Sequence, residues 1–400
     1  MILMNKKIVI IGAGSTGSSI AYNLSKNNFD VIVIDRDGIA EGNTGKSSAL
    51  IRTHYSVEMV AKMAIYSYDI ISNFDDIGYS GFTKTGMIFP FDRKYKDVAE
   101  ENVAMLRTLG AVEEEMDSDN IKNFYPDANL EGLEYIVYEP NSGYADPVAV
   151  TNSYINKVRE LGGEILIHKI VKRVDSKNNG VKIYLNDGKI IEADMVVLAT
   201  NVWTNELLLS SGISKSNILP IIASLHSIIY IRRPLIYKGL KPTLWDPPNL
   251  AYYKMEGETL TALGSLDPEI DKIGIDLDKN IPQVPEQEYV EDYIGRLIER
   301  LPSMKDAGLV NTYTGLYDMT PDGQLIMDSL EKIGLENVYV VAGLSGHGFK
   351  LCPAIGKMFT EMIMNNDPKQ SLFDWTIFSL DRFKNGKLIT SKYTKIGTIY

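Results

Sequence analysis

The stretch KIVIIGAGSTGSSIAYNLSKNNFDVIVID, residues 7–35, carries the reading of the fold. An apolar run from Ile8 to Ile11 enters Gly12, Gly14 and Gly17 at G-x-G-x-x-G spacing. An amphipathic segment with Ile20, Ala21 and Leu24 follows, and a second apolar run, Val31 to Ile34, ends on Asp35. Gly12 permits the tight turn from strand to helix. Gly14 lets a pyrophosphate approach the backbone, and Gly17 lets the helix pack close on the strand. The helix N-terminus, which begins with Ser15 and Thr16, offers free N–H donors and a positive dipole end to phosphates. Asp35 lies 18 residues beyond Gly17, where an acid accepts hydrogen bonds from a ribose hydroxyl. Its carboxylate repels a 2′-phosphate, which argues against NADP; NAD and FAD both stay open on this segment.

The chain has 400 residues, more than one core of usual size accommodates, so two domains or one domain with a large insert are expected. No apolar run approaches the ~18 residues needed to span a bilayer. The N-terminal MILMNKK is too short for a signal peptide and runs into the first strand, with Met4 as an alternative start. A single cysteine, Cys352, leaves no intrachain disulfide or cysteine-based zinc site and fits a cytoplasmic location. The net charge of −11 argues against nucleic acid or an anionic membrane as partner. The four histidines, His54, His168, His226 and His347, lack metal-ligand spacing, so no metal is expected.

Beyond Asp35 comes a Gly/Ser/Thr-rich loop, residues 42–48, then a helix over about 57–74. Strands with a turn are expected at 81–91, a helix at 94–109 and a strand at 132–140. Asp146 and Pro147 read as the cap and first residue of a helix that Gly162 and Gly163 end. Strands follow at 164–168, 170–175, 181–185 and 189–192, then the apolar strand in ADMVVLATN. Residues 220–265 are strand-rich, 267–287 form a charged loop, and 288–300 a helix. Val338 to Val341 form a strand that runs into GLSGHGFKLCPAIG and a last helix. Dinucleotide-type strands thus occur at the start, middle and end, with β-rich segments between. The expected class is α/β: a Rossmann-type domain assembled from 1–80, 145–222 and 318–385, with an inserted antiparallel β-sheet domain from 81–144 and 223–317, and a tail over 386–400.

The motifs GAGSTG (12–17), GKSSALIRTHYS (45–56), GYADP (143–147), VVLATNVW (196–203), GLYDMTPDGQLIMD (315–328) and GLSGHGFKLCPAIG (343–356) occur in this order. Together they make the chain resemble the D-amino-acid-oxidase-like family of FAD-dependent oxidoreductases, and within it the sarcosine oxidase, dimethylglycine dehydrogenase and glycine oxidase branch. The resemblance implies a Rossmann-type FAD domain and an antiparallel sheet that roofs the flavin. It places Gly12, Gly14, Ser15, Thr16, Gly17, Asp35 and Arg36 at the ADP half of FAD, and Ser47, Ser48, Ala49 and Leu50 beside the pyrophosphate and flavin. Val171 falls at the adenine. Ala199, Thr200 and Trp203 fall at the end of the second contacting strand. Gly346, His347, Gly348, Phe349 and Lys350 precede a helix aimed at the flavin pyrimidine edge, where a helix dipole and a lysine stabilise the reduced anion.

The resemblance further implies oxidation of an amino acid by hydride transfer from Cα to flavin N5, giving an imine. A carboxylate substrate calls for a cationic clamp. Arg52 matches the family's arginine, Lys350 an assisting lysine and Tyr317 a tyrosine on the same carboxylate. His347, His54 and Tyr55 are secondary candidates for handling the amine proton; His168 and His226 lie in strand patterns and read as structural. Three departures stand out. Gly315 replaces a flavin-linked cysteine, residues 36–53 hold no flavin-linked histidine, and Ala262 replaces a lysine that promotes reaction with oxygen, with Leu266 where a histidine contacts substrate. Non-covalent FAD and an acceptor other than oxygen are therefore expected, with sarcosine- or proline-like secondary amines as substrates. Two alternatives stay open: the flavoprotein subunit of a multi-subunit amine dehydrogenase, passing electrons to a partner protein, or an FAD enzyme for a polyol phosphate, which would need a basic cluster such as Arg232 and Arg233.

Overall fold

The computed structural model describes residues 6–393 except 178, 179, 272 and 366; Met4 and tail residues 394–400 lie outside the described residues. Its first sheet has six strands in the spatial order Ile326–Ser329, Val338–Ala342, Met195–Leu198, Lys7–Ile11, Asp30–Ile34 and Glu164–Leu166. All pair in parallel except Ile326–Ser329. The central strand shows why its run is apolar throughout. Ile8 and Ile10 enter the core on one face, while Val9 and Ile11 enter a separate core on the other. Val31 and Val33, against Ile32 and Ile34, divide in the same way. A strand covered on both faces has no polar alternation, and each such side chain contributes about 1.5–3 kcal/mol on burial.

Helices Ser15–Lys26, Glu58–Ser72, Pro147–Glu160 and Gly348–Asn365 supply side chains to the first core. The second is closed by a three-stranded antiparallel sheet, Val171–Lys177, Gly180–Leu185 and Ile190–Ala193. Helix Pro147–Glu160 begins as its sequence requires: the Asp146 carboxylate accepts the Val148 and Ala149 amides at 2.9 Å each. In the first motif, Gly12 has φ +116°, and a Cβ there would stand 2.3 Å from the Ala199 carbonyl oxygen; one on Gly17 would stand 2.0 Å from the Gly12 carbonyl oxygen. The glycine spacing is therefore a packing requirement of the turn itself.

The second large sheet has eight strands, in the order Gly308–Met319, Ile222–Arg232, Leu260–Ser265, Ala251–Glu256, Thr243–Asp246, Met87–Asp92, Leu133–Glu139 and Glu114–Glu115. One neighbouring pair is parallel, Thr243–Asp246 with Met87–Asp92; the others are antiparallel. Helix Gln287–Arg300 is pinned to this sheet by a buried two-pronged pair, Arg300 to Asp246 at 2.8 and 3.2 Å. The helix expected at 94–109 is Lys96–Thr108. Four short helices were not read from the sequence: Ser118–Phe124, capped by Asp117, Thr204–Ser210, Pro268–Asp271 inside the expected loop, and Asp381–Lys384. His168 lies between strands with φ +56° rather than within one. No helix of the described residues is long and apolar enough to cross a membrane.

Candidate active site

A cavity of about 530 Å³ runs from the C-terminal ends of the parallel strands to the large sheet. At one end it is lined by Gly12, Gly14, Ser15, Thr16 and Gly17, with Asp35, Arg36, Ala199, Thr200, Trp203 and Val171. Helix Ser15–Lys26 has Gly14 at its cap and no side-chain cap, so its first-turn amides face this space. Thr44 Oγ1 accepts the Ser15 amide at 3.0 Å. The buried Thr16 hydroxyl has no hydrogen-bond partner among the described residues. The Asp35 carboxylate accepts the Ala13 amide at 2.7 Å and the Asp37 amide at 2.9 Å; burial raises its pKa. The Arg36 guanidinium lies over the Trp203 ring at 3.9 Å, forming a flat wall.

The other end is lined by Arg52, His226, Trp245, Tyr252, Leu266, Tyr317 and Gly346 to Lys350. Strand Gly308–Met319 carries Tyr317 to the wall. Asp318, next to it, accepts the Gly343 amide at 2.6 Å and so ties down the loop that leads into helix Gly348–Asn365. Arg52 is only 2% exposed. Its guanidinium is held between two aromatic faces, Tyr55 at 4.0 Å and Trp245 at 4.5 Å. One terminal nitrogen donates to the His54 carbonyl, while Nε is buried without a partner.

Lys350 is half-buried in the first turn of helix Gly348–Asn365, a turn with no acidic residue. Its Nζ donates to the Gly346 carbonyl at 3.3 Å. Burial and the neighbouring Arg52 charge lower its pKa to about 7. Among the described residues, no carboxylate stands within ion-pair distance of Arg52 or Lys350. A buried guanidinium beside a half-buried lysine at the positive end of a helix is costly without an anion.

The sequence-derived candidates separate on this geometry. Arg52, Tyr317, His347 and Lys350 meet at one end. Ser47, Ser48 and Leu50 line the cavity between the two ends. Ala49 does not line it: with φ +52° it turns its methyl into an apolar cluster with Ile51 and Cys352. His54 also points away. Its Nδ1 meets the Glu113 carboxylate at 3.3 Å and its Nε2 the Tyr393 hydroxyl at 2.9 Å, while burial lowers its pKa to about 3. Tyr55 lies under the Arg52 guanidinium, and burial raises its phenol to about 12. His347 is buried edge-on to Tyr55 at 5.3 Å; burial and the charges of Lys350 and Arg52 hold its imidazole neutral.

His226, read as structural, is instead a cavity residue stacked on Tyr317 at 3.8 Å. The diagonal contact across antiparallel strands is set by the register Ser224 to Tyr317 and His226 to Gly315. Trp245 and Tyr252 were missed. They face each other across paired strands and stack at 5.4 Å. Asn43 and Thr44 were visible only as members of a Gly/Ser/Thr-rich loop. Arg233 is buried and donates to the carbonyls of Tyr237, Gly239, Gly257 and Leu260, so it is not available to a phosphate.

Two helix N-termini at opposite ends of one elongated cavity, a parallel-sheet crevice and a β-sheet roof define a two-domain dinucleotide-dependent oxidoreductase. The chain belongs to the FAD dependent oxidoreductase family, whose model matches residues 7–362, and FAD is its cofactor. It is 26% identical to L-saccharopine oxidase of Schizosaccharomyces pombe, over 91% of each chain. It is 23% identical to 4-methylaminobutanoate oxidase (formaldehyde-forming) of Paenarthrobacter nicotinovorans, over 98% of this chain. The chain spans only 47% of that relative's length. Among solved structures, L-proline dehydrogenase from P. horikoshii superposes with a TM-score of 0.84 at 24% identity, over 97% of this chain and 100% of that one. Glycine oxidase from Geobacillus kaustophilus gives 0.78 at 17%, over 94% and 99%.

The residues present fit FAD. The uncapped amides, the orphaned Thr16 hydroxyl and Asp35 suit the ADP half, and the helix start at Gly348 with Lys350 suits an anionic ring edge. Cys352 is fully buried among Ala49, Ile51 and Phe349 and does not line the cavity, and Gly315 offers no side chain. The flavin is therefore expected to leave the protein completely on acid precipitation. Yellow colour remaining in the pellet would contradict this.

Proposed function

We propose that this chain oxidises a small amino acid, a secondary amine of the sarcosine or proline kind, to an imine that water then opens to an oxo acid and an amine. The observation that carries the reading is the placement of Arg52 and Lys350 in the wall of the cavity with no carboxylate within ion-pair distance among the described residues. When bound, FAD supplies the two-electron acceptor. The chain's own residues bind and orient. The free edge of Arg52, its faces already covered by Tyr55 and Trp245, presents two donors in plane to a carboxylate. Lys350 adds a third, and Tyr317 and His226 close that side. The neutral His347 holds a proton only weakly, so the substrate enters with its amine already neutral rather than giving a proton to this ring. The relatives named L-saccharopine oxidase and 4-methylaminobutanoate oxidase support a carboxylate-bearing amine.

The test is anaerobic addition of sarcosine, L-proline, glycine and D-alanine, one at a time, to the purified yellow protein. Bleaching by the secondary amines is the expected result. A flavin that none of the four reduces would remove this reading.

The clamp also has a pH signature. Without ligand, Lys350 titrates near pH 7; a carboxylate beside it favours the ammonium and raises that value. Below about pH 7 the lysine is charged in both states and acetate affinity should be flat. Above it, binding must take up a proton, so affinity should fall as pH rises, by up to about tenfold per unit. Acetate titrations followed by the flavin spectrum check this, and Lys350→Met should flatten the profile.

A further inference from the structure

We propose that residues 387–393 form an active-site strap, in which Tyr393 and Ser391 hold the Arg52–Ser56 segment in its carboxylate-binding conformation. The inference rests on the Arg52 clamp and assigns a task to a segment that reads, by sequence, as a tail. The strap starts at a firm anchor. Arg382 makes a buried two-pronged pair with Asp322 at 2.7 and 3.0 Å, and the same carboxylate accepts the Ile389 amide at 3.1 Å. The chain then crosses to the segment behind Arg52. Ser391 Oγ meets Ser56 Oγ at 2.5 Å, and Ser56 Oγ also accepts the Lys392 amide at 3.2 Å. Tyr393, 5% exposed, places its hydroxyl 2.9 Å from His54 Nε2 and stacks on Phe91 with rings 5.9 Å apart and 7° from parallel.

The link to Arg52 runs through His54. The ring of His54 is fixed on every side: Phe89 stacks on it at 4.3 Å, Glu113 meets Nδ1, and Asn102 and Tyr393 meet Nε2 at 3.2 and 2.9 Å. The backbone carbonyl of the same residue takes one terminal N–H of Arg52. That bond decides which edge of the guanidinium remains for a ligand, because the two faces are already taken by Tyr55 and Trp245. A His54 that can tilt would let the carbonyl and the guanidinium turn together and would admit water behind a charge whose binding strength depends on exclusion of water. Tyr393 is a positioning residue in this scheme; it touches neither substrate nor cofactor.

The experiment uses the FAD-loaded full chain and the variants Tyr393→Phe, Tyr393→Ala and Arg52→Ala. Acetate is the probe, read by the flavin spectrum, and anaerobic reduction by sarcosine and L-proline separates substrate affinity from limiting rate. Tyr393→Phe should weaken acetate and substrate about threefold, as for one lost hydrogen bond. Tyr393→Ala should weaken them by about tenfold or more. The limiting rate and the affinity for FAD should stay within about twofold in both, a split that a general loss of structure would not produce. Full affinity in both Tyr393 variants beside a weakened Arg52→Ala would overturn the strap and leave the clamp. A parallel loss of FAD affinity would also overturn it. If Arg52→Ala too binds acetate normally, or the parent protein binds none, the clamp falls and the strap with it.

Discussion

Replacing Arg52 with alanine is expected to weaken the substrate carboxylate by about 2–5 kcal/mol, roughly thirtyfold to several thousandfold in affinity. The size follows from burial. A guanidinium 2% exposed meets its ligand out of water, so the pair gains most of its strength from the low local dielectric. The partner left behind is then a carboxylate beside Lys350 alone. The larger effect should fall on binding: Arg52 has no ion pair among the described residues to break, and what the fold loses is its hydrogen bond to the His54 carbonyl and its contacts with Tyr55 and Trp245. Saturation of anaerobic flavin reduction gives the affinity and a thermal melt gives the stability. Unchanged saturation would remove the clamp; a large drop in melting temperature with unchanged saturation would make Arg52 structural.

Gly17→Ala is the second substitution with a large expected effect. Its Cβ would lie 2.0 Å from the Gly12 carbonyl oxygen, a backbone atom that cannot swing aside. Helix Ser15–Lys26 must then lift from the strand, and its amides move with it. The amides then no longer meet the pyrophosphate at hydrogen-bonding distance, so the variant should purify with little flavin and a lower melting temperature. Stoichiometric FAD at the parent's melting temperature would show that the helix does not need this close approach. Alanine substitution at Thr16, which leaves the backbone alone, serves as the mild comparison.

Much of the fold was legible because its signals are local. The glycine spacing, the doubly apolar strands at 8–11 and 31–34 and the Asp146–Pro147 helix start each state their geometry within a few residues. The short helix Ser118–Phe124 escaped because seven residues carry too few turns to show a period. Ala49 sits between two cavity residues yet does not line the cavity, because one residue of left-handed backbone turns it the other way. His54, a secondary candidate for the amine proton, points away from the cavity for a related reason: its neighbours Glu113, Asn102 and Tyr393 come from parts of the chain that no local reading connects.

The amino-acid sequence by itself determined the parallel-sheet crevice, the acid that ends its second strand and the presence of Arg52 and Lys350, since each depends on residue type and on spacing of a few positions. The tertiary structure alone decided that the two cations share one end of the cavity with no carboxylate within ion-pair distance among the described residues, that Trp245 and Tyr55 cover the guanidinium faces, and that His226 stacks on Tyr317. Those facts depend on strand register and on contacts between residues up to hundreds of positions apart, and register is set by packing of whole sheet faces rather than by any residue's own preference.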